Sequence, residues 1–445
     1  ILFSIFLVAY GIYKIYNLPL HLSRLFYIYS ILFGVVFTIL FSLGLKRLSN
    51  NIKANLSILF FTIGITIYTI EAYLNFFLKP LEEEQDRKSI ALKIGVPYDA
   101  RTKMEILNDL KNSNINTFPN YLPSEFRESN GLASKKNRIY PLGSISNSTT
   151  IFGNESGYYP IIETDEYGFN NPKGLYIENE VDIMLVGDSF AAGVAVNSNE
   201  SIGAVLRELD FNTISVGKGG NGPLLELASL KEYAKPLRPK IVLWIYYTND
   251  LKGLDKETKS PILKKYLTEN DYSQNLISRQ KEIDIILKNY DQIQWKKQKN
   301  KKEKERRKIE KIINSLKLTQ LRKMINLTPT FTSEFTNLFK DVLKKSKQTV
   351  LEWDGKMYFI SLPDFNRYSR DEEHMYRDFV MQTADELNIP IIDVNKEVFD
   401  SHPDPLSLFP LRVHGHYTAE GYRLIAETVV KRLEEDGYVP IKSKK

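Results

Sequence analysis

The chain has 445 residues, with 60 lysines and arginines against 54 aspartates and glutamates, and 43% of its residues are hydrophobic. This composition excludes a wholly disordered or collagen-like protein. The chain contains no cysteine, which excludes a disulfide framework, a cysteine-ligated zinc and a thiol nucleophile. Five histidines leave little room for a histidine-rich metal site, and we expect neither a metal nor another cofactor.

Three apolar runs open the chain, at residues 1–16, 25–45 and 54–78. The second run has no charged residue over 21 positions, and a helix of that length rises about 30 Å, the thickness of a bilayer core. The third is interrupted only by Glu71, which is either a functional intramembrane carboxylate or a side chain that faces another helix or the interface. We predict about three transmembrane helices in residues 1–78, and therefore a multi-pass membrane protein.

The charges between the apolar runs predict the orientation of these helices. The link after the second run carries Lys46, Arg47 and Lys53, whereas acidic residues at 82–84 follow the third run. Positively charged links tend to stay on the cytoplasmic side of a membrane. We therefore expect the second link to be cytoplasmic and the chain after residue 79 to be extracytoplasmic.

Beyond the apolar runs, the sequence predicts an α/β domain over residues 176–440. Short runs rich in β-branched and aromatic residues are typical of buried parallel strands, and they lie at 181–187, 211–216, 240–247, 356–362 and 390–394. Helical stretches alternate with them, at 201–209, 224–235, 369–387 and 419–435. This alternation predicts a doubly wound parallel sheet. Residues 79–175 are rich in Asn, Pro and Gly, and we expect them to form an extracytoplasmic lead-in region with a few strands and turns.

A helical insertion is predicted at about 256–350, between the third and fourth strands. Its segment 296–311 has ten basic and three acidic residues, so its net charge of +7 exceeds the +6 of the whole chain. This basic run is either a solvated helix or a contact for anionic glycans or lipid headgroups. Nucleic acid is not an expected partner, because the segment is predicted to be extracytoplasmic and has a single aromatic residue, Trp295, beside it.

Residues with catalytic chemistry follow the predicted strands. The first strand ends in Gly187–Ser189, a tight turn that exposes a serine hydroxyl beside backbone N–H groups. The second ends in a glycine-rich loop that includes Gly220, and the third runs into Asn249, whose amide can project into the crevice at the strand ends. His416 precedes the last predicted helix, and histidine can take a serine proton near neutral pH. Each feature also has a structural reading, as an ordinary turn, a helix cap, a flexible loop or a structural histidine.

Together, in this order and each at a strand end, the four blocks resemble the SGNH/GDSL hydrolase superfamily over about 181–255 and 355–436. The resemblance implies a flavodoxin-like three-layer fold and acyl-ester chemistry without a metal. It implies that Ser189 is the nucleophile and His416 the base. The oxyanion hole would consist of the N–H groups of Ser189 and Gly220 and the side chain of Asn249, and Asp188 is a candidate supporting residue.

One position departs from the pattern of that family, which usually has an aspartate three residues before the histidine. Val413 occupies this position here, so the residue that orients the imidazole of His416 is not evident. A backbone carbonyl could hold the ring, or a more distant carboxylate such as Asp404 or Asp393. His414, which lies between, is a turn residue, a substrate contact or itself the base, and it is the second candidate supporting residue.

Membrane spans joined to such a domain resemble the SGNH proteins of bacterial surface-polysaccharide pathways, some of them similar to alginate O-acetyltransferases. This resemblance implies a bacterial inner-membrane protein with its domain on the periplasmic or external face. It also implies an acylated, mainly acetylated, cell-surface glycan as substrate and other envelope polysaccharide proteins as partners. We therefore expect a membrane-anchored serine esterase or O-acyltransferase, two activities that share the same residues. The alternative is a non-catalytic glycan-binding or scaffold component of an envelope assembly.

The predicted orientation can be tested with reporter fusions in a bacterial host. A reporter placed after Asn50 should be active in the cytoplasm, because it lies in the positively charged link. A reporter placed after Lys445 should be active outside the cytoplasm. Reversed signals would contradict the orientation and, with it, a cell-surface substrate.

Overall fold

The structure is a computed structural model, and it describes residues 8–13, 15, 25–45, 47–76, 87–134, 137–298, 315, 318, 321 and 333–440. The chain divides into two units. One comprises residues 1–83 and 296–337, and the other comprises residues 84–295 and 338–445.

The first unit contains two long helices, Leu25–Leu45 and Asn50–Phe76. Within the described residues, the segment Asn50–Leu74 is the one that is long and apolar enough to cross a membrane. Glu71 on this helix is fully buried, and its carboxylate accepts the backbone N–H of Leu321 at 2.8 Å. Glu71 therefore contacts another segment of the same unit. The first predicted span, at 1–16, lies partly outside the described residues, and the multi-pass topology stays a prediction.

The second unit begins with a small region of helices and hairpins. Its helices are Arg87–Ile94 and Lys103–Asn112, and the hydroxyl of Thr102 caps the second of them in a capping box with Glu105. Two antiparallel hairpins follow, formed by β1 (Leu132–Ala133) with β2 (Arg138–Ile139) and by β3 (Thr149–Ile151) with β4 (Ile161–Glu163).

A five-stranded parallel sheet forms the centre of the second unit. Its strands are β5 (Ile183–Gly187), β6 (Thr213–Ser215), β7 (Ile241–Tyr246), β8 (Lys356–Ser361) and β9 (Ile391–Asp393). The spatial order is β6-β5-β7-β8-β9, and every neighbouring pair is parallel. This is the flavodoxin-like doubly wound order, in which β6 lies on one side of β5 and the next strand, β7, lies on the other. All five predicted strands and the predicted parallel sheet are confirmed.

Helices cover both faces of this sheet. On one face, alternate strand residues share a core with the first and last helices of the domain, Ile202–Glu208 and Ala419–Glu435; this core includes Ile183, Leu185, Leu243, Ile360, Val205 and Val429. On the other face, Trp244 and Phe359 are fully buried. There, Tyr246 packs on Phe339 of the helix Ser333–Leu351 with ring centroids 6.1 Å apart. The predicted three-layer arrangement is therefore present.

One predicted helix is wrong in extent. The stretch 369–387 does not form a single helix but contributes to two, Phe365–Arg370 and Arg377–Glu386. The first ends because Asp371 adopts a left-handed conformation, with φ of 57°, which an α-helix cannot continue. Its start lies earlier than predicted, because the carboxylate of Asp364 caps it by accepting the N–H of Asn366.

Helices also occupy the described part of the insertion between β7 and β8. They are Asp250–Glu257, Pro261–Thr268, Gln280–Gln298 and Ser333–Leu351. The basic run at 296–311 lies outside the described residues except for its first three positions. Its contact with anionic headgroups or glycans thus stays a prediction.

Candidate active site

Ser189 lies on a tight turn at the carboxyl end of β5. Gly187 ends the strand where a Cβ atom would lie 2.9 Å from the Cβ of Ile245 and 3.0 Å from that of Ala191, so only glycine fits. The carboxylate of Asp188 closes the turn by accepting the N–H of Phe190 at 2.9 Å. The turn therefore holds Ser189 at the edge of the sheet where ligands of doubly wound folds bind.

His416 reaches the same edge from the segment before the last helix. The hydroxyl of Thr418 caps that helix by accepting the N–H of Gly421 at 3.2 Å, and the Tyr417 hydroxyl donates to the carbonyl of Pro363 at 2.7 Å. The His416 ring packs on Phe190, with ring centroids 4.7 Å apart. Its Nε2 lies 2.7 Å from Oγ of Ser189, so two residues 227 positions apart in the chain are within hydrogen-bond distance.

Glu155 holds the other side of the His416 ring. Its Oε1 lies 2.7 Å from Nδ1 of His416, and its Oε2 accepts the backbone N–H of the same residue at 2.8 Å. An ionised carboxylate only accepts hydrogen bonds, so Nδ1 carries the proton of the neutral ring. Nε2 is then left as the acceptor for the Ser189 hydroxyl.

Sequence reasoning missed Glu155, and its alternatives were wrong. Asp404 forms an ion pair with Arg412, and Asp393 forms one with Arg377. A backbone carbonyl is not what faces Nδ1 either, because the Glu155 carboxylate occupies that position. Glu155 lies 261 positions before His416, in a loop of the lead-in region, and no local pattern in the sequence marks it.

Val413 and His414, the two residues that made the orientation of His416 uncertain, do not contact its imidazole in the way Glu155 does. Val413 is buried as an apolar residue, with 5% of its surface exposed. His414 is exposed, its ring lies edge-on to Phe365 at a centroid distance of 6.0 Å, and its backbone carbonyl accepts a hydrogen bond from Arg87. Of these two histidines, His416 is the one whose imidazole contacts the Ser189 hydroxyl.

The electrostatic surroundings favour a charged Glu155. Burial opposes ionisation, but the neighbouring His416 and Arg87 and the hydrogen bonds from His416 lower the pKa of Glu155 to about 2. Burial also lowers the pKa of His416, and the charge and hydrogen bond of Glu155 more than offset this, so that its pKa lies above the usual value for histidine. The carboxylate thus stabilises a positive charge on His416.

Asp188 and Asn249 lie on the other side of the serine. The Oδ2 atom of Asp188 is 3.2 Å from Oγ of Ser189, and it accepts a hydrogen bond from Nδ2 of Asn249 at 3.2 Å. Burial raises the pKa of Asp188, against the opposing effect of the Phe190 N–H and of His416. Asn249 is exposed, and its amide keeps a second N–H beyond the one directed at Asp188.

The glycine-rich loop after β6 lies beside Ser189 at the same edge of the sheet. Gly219 lies next to the serine, since an added Cβ would be in van der Waals contact with the Cβ of Ser189 at 3.9 Å. Gly220 has a φ of 71°, in the left-handed region that favours glycine. Its carbonyl accepts a hydrogen bond from Arg127, which also pairs with the fully buried Glu257 at 3.2 Å.

Glu257 in turn fixes the far end of this loop. Its two carboxylate oxygens accept the backbone N–H groups of Gly222 at 2.7 Å and Leu224 at 2.9 Å. Removing either partner of a buried ion pair leaves an uncompensated charge. The Arg127–Glu257 pair therefore restrains the loop that passes over Ser189.

We expect Glu155→Gln to lower the pKa of His416. The substitution removes the carboxylate that raises this pKa, whereas the burial that lowers it remains, so the value should fall below that of an exposed histidine. NMR titration of ¹³C-labelled imidazoles would measure the change. The exposed His414 provides the internal control, and an unchanged His416 titration would contradict the assigned contact.

No protein-family model matches the chain, and no curated protein matches its sequence. Among solved structures it is similar to a lipase/acylhydrolase from Enterococcus faecalis, with 12% identity, coverage of 59% of this chain and 100% of the other, and a TM-score of 0.34. A GDSL-like lipase from Bacteroides thetaiotaomicron is 12% identical over 58% of this chain and 89% of its own, with a TM-score of 0.31. A variant of an acetyl-xylooligosaccharide esterase from Geobacillus is 14% identical over 61% of this chain and 100% of its own, with a TM-score of 0.32. These structural neighbours have lipase, acylhydrolase and acetyl-esterase folds.

Proposed function

We propose that this chain is a serine-dependent acyl-ester hydrolase or O-acyltransferase of the SGNH type. The observation that supports this most directly is the continuous chain of contacts from Ser189 Oγ through the His416 ring to the Glu155 carboxylate, with both heavy-atom distances at 2.7 Å. A nucleophile, a base within hydrogen-bond reach and a third group that orients the base are the parts that nucleophilic acyl transfer requires.

In the proposed reaction, the Oγ atom of Ser189 attacks the ester carbonyl while its proton moves to Nε2 of His416. Glu155 stays ionised, holds the Nδ1 proton and stabilises the resulting imidazolium. The tetrahedral intermediate collapses as His416 returns the proton to the departing alcohol, which leaves an acyl-serine. Water, or a sugar hydroxyl, then gives its proton to His416 and attacks the acyl-serine. The bond between the acyl carbon and Oγ of Ser189 breaks as His416 returns the proton to Oγ, and the free acid or the acylated sugar leaves.

Three donors are available for the oxyanion of the intermediate. Among the hydrogen bonds between described residues, the backbone N–H groups of Ser189 and Gly220 have no assigned acceptor. The third is the second N–H of Asn249, whose first N–H is directed at Asp188. Donors that are fixed before the reaction stabilise developing charge without a reorganisation cost, and the Arg127 contact supplies such a restraint at Gly220.

This geometry favours an enzyme over the scaffold alternative. The reason to consider a non-catalytic protein was Val413 in place of the usual aspartate, and Glu155 supplies the carboxylate from another part of the chain. For the substrate we propose an acyl ester, mainly acetyl, of a cell-surface glycan. The apolar N-terminal runs and the resemblance to surface-polysaccharide proteins support this choice, together with a membrane-anchored extracytoplasmic domain and other envelope proteins as partners.

The direct test is covalent labelling of the full chain with a fluorophosphonate, combined with hydrolysis of aryl acetates. We expect labelling at Ser189 in the wild type, and loss of both labelling and turnover in Ser189→Ala, because the nucleophile itself is removed. Ser278→Ala, at a serine whose hydroxyl donates to the Asn275 carbonyl on the surface, is the matched control and should behave like the wild type.

Full esterase activity in a folded Ser189→Ala variant would contradict the proposal, and so would an unlabelled, inactive wild type that is folded. The same assay with an added acceptor sugar separates the two activities. An acylated sugar among the products would indicate a transferase, whereas free acid alone would indicate an esterase.

We expect Asn249→Ala to reduce kcat by about 10²–10³-fold, the usual size of the loss of one oxyanion donor. Thr248→Ala is the matched control, because the Thr248 hydroxyl donates to the carboxylate of Asp364 at 3.1 Å. Steady-state kinetics on an aryl acetate would measure both variants. Equal kcat values in the two variants would contradict the assignment of Asn249 to the oxyanion hole.

A further inference from the structure

Arg87 connects two segments of the candidate site that lie far apart in the chain. It is the first residue of the helix Arg87–Ile94, which packs against the turn Pro410–Arg412. Its Nη1 donates to the backbone carbonyl of Glu155 at 2.8 Å, and its Nη2 donates to the backbone carbonyl of His414 at 2.6 Å. One guanidinium therefore holds the loop that carries the orienting carboxylate and the segment that carries the base.

The same guanidinium also contacts the orienting carboxylate itself. Nη2 of Arg87 lies 3.5 Å from Oε2 of Glu155, and the two side chains are only 12% and 18% exposed. The carboxylate thus lies between two cationic or proton-donating groups, the guanidinium on one side and the imidazole on the other. Such a largely buried pair is screened much less by salt than a surface ion pair.

Gly415 shows how tightly these groups are packed. A Cβ atom on this residue would lie 2.4 Å from Oε2 of Glu155 and 2.6 Å from Nη2 of Arg87. The backbone between His414 and His416 can therefore approach both charged groups only because residue 415 is glycine. Gly415 thus leaves room for Arg87 and Glu155 to bind the backbone groups on either side of it.

We propose that Arg87 is a positioning residue of the catalytic set, acting through Glu155 and the backbone before His416. This inference rests on the proposed function. The planar guanidinium can bind two carbonyls and a carboxylate at once, which a lysine ammonium on its flexible stem does less well. The residue that performs this task belongs to the stretch that follows the apolar N-terminal runs in sequence, outside the parallel sheet that carries Ser189.

Position and charge have separable consequences. Loss of the two carbonyl contacts should let Glu155 and His416 drift, and a displacement of about 1 Å can cost on the order of 10²-fold in rate. Loss of the positive charge acts on protonation: Arg87 lowers the pKa of His416 and of Glu155. Without it, the pKa of His416 should rise. Since the base must be neutral to accept the serine proton, the acid limb of the pH profile should move to higher pH.

The experiment compares Arg87→Gln and Arg87→Lys with the wild-type full chain. For Arg87→Gln we expect kcat to fall about 10- to 100-fold, with a smaller change in KM for a small ester and an acid limb at higher pH. Arg87→Lys keeps the charge, so it should lose rate while its acid limb stays near that of the wild type. Arg101→Ala is the matched control, because Arg101 is an arginine that pairs with carboxylates, those of Asp99 and Asp109, at an exposed position.

Unchanged kcat and an unchanged pH profile in a folded Arg87→Gln variant would overturn this inference. If that variant does not fold, Arg87→Lys decides: wild-type kinetics would count against a positioning role, and a lower kcat would support it. Labelling of Ser189 in the same preparations distinguishes a failure of the proposed function from a failure of the role of Arg87. Loss of activity in Ser189→Ala together with normal Arg87 variants would leave the proposed function intact and reject only the role of Arg87.

Discussion

The contact between the Glu155 carboxylate and the His416 ring is the interaction on which the candidate site depends. An imidazole can accept the proton of a serine only if its Nε2 is free, and the Glu155 oxygen at 2.7 Å from Nδ1 secures that tautomer. The second oxygen binds the backbone N–H of the same histidine, so ring and main chain are oriented by one side chain. The lowered pKa of Glu155 keeps the group charged over the physiological range.

The region before the sheet thereby becomes part of the site. Glu155 comes from the loop between β3 and β4, and Arg127 follows the short turn Pro123–Phe126. Glu155 orients the ring of His416, and Arg127 restrains the carbonyl of Gly220. The parallel sheet supplies Ser189 and Asn249, which it places at the carboxyl ends of β5 and β7. Two substructures therefore contribute to one candidate site, and neither contains all of its groups.

Because two substructures form the site, contacts between them affect both stability and site geometry. The guanidinium of Arg127 is paired with the fully buried carboxylate of Glu257. Breaking such a pair by removing one partner costs about 3–5 kcal/mol, because the remaining charge stays buried. Docking of the lead-in region on the sheet is thus coupled to the geometry of the glycine-rich loop, and the stability of the domain and the order of its site depend on the same contacts.

The sequence by itself determined the strands of the sheet and the positions of Ser189, Asn249 and His416 at its edge. It could do so because buried parallel strands have continuous apolar sequences. In addition, the carboxyl ends of parallel strands lie at one edge of the sheet, so the residues that follow the strands come close together there. The prediction of a continuous helix at 369–387 was wrong because Asp371 has a left-handed backbone conformation. Only the tertiary structure decided what orients His416. Glu155 and Arg87 lie 261 and 329 positions before it in the chain, and contacts across such separations arise from the packing of whole substructures, which no local spacing or periodicity encodes.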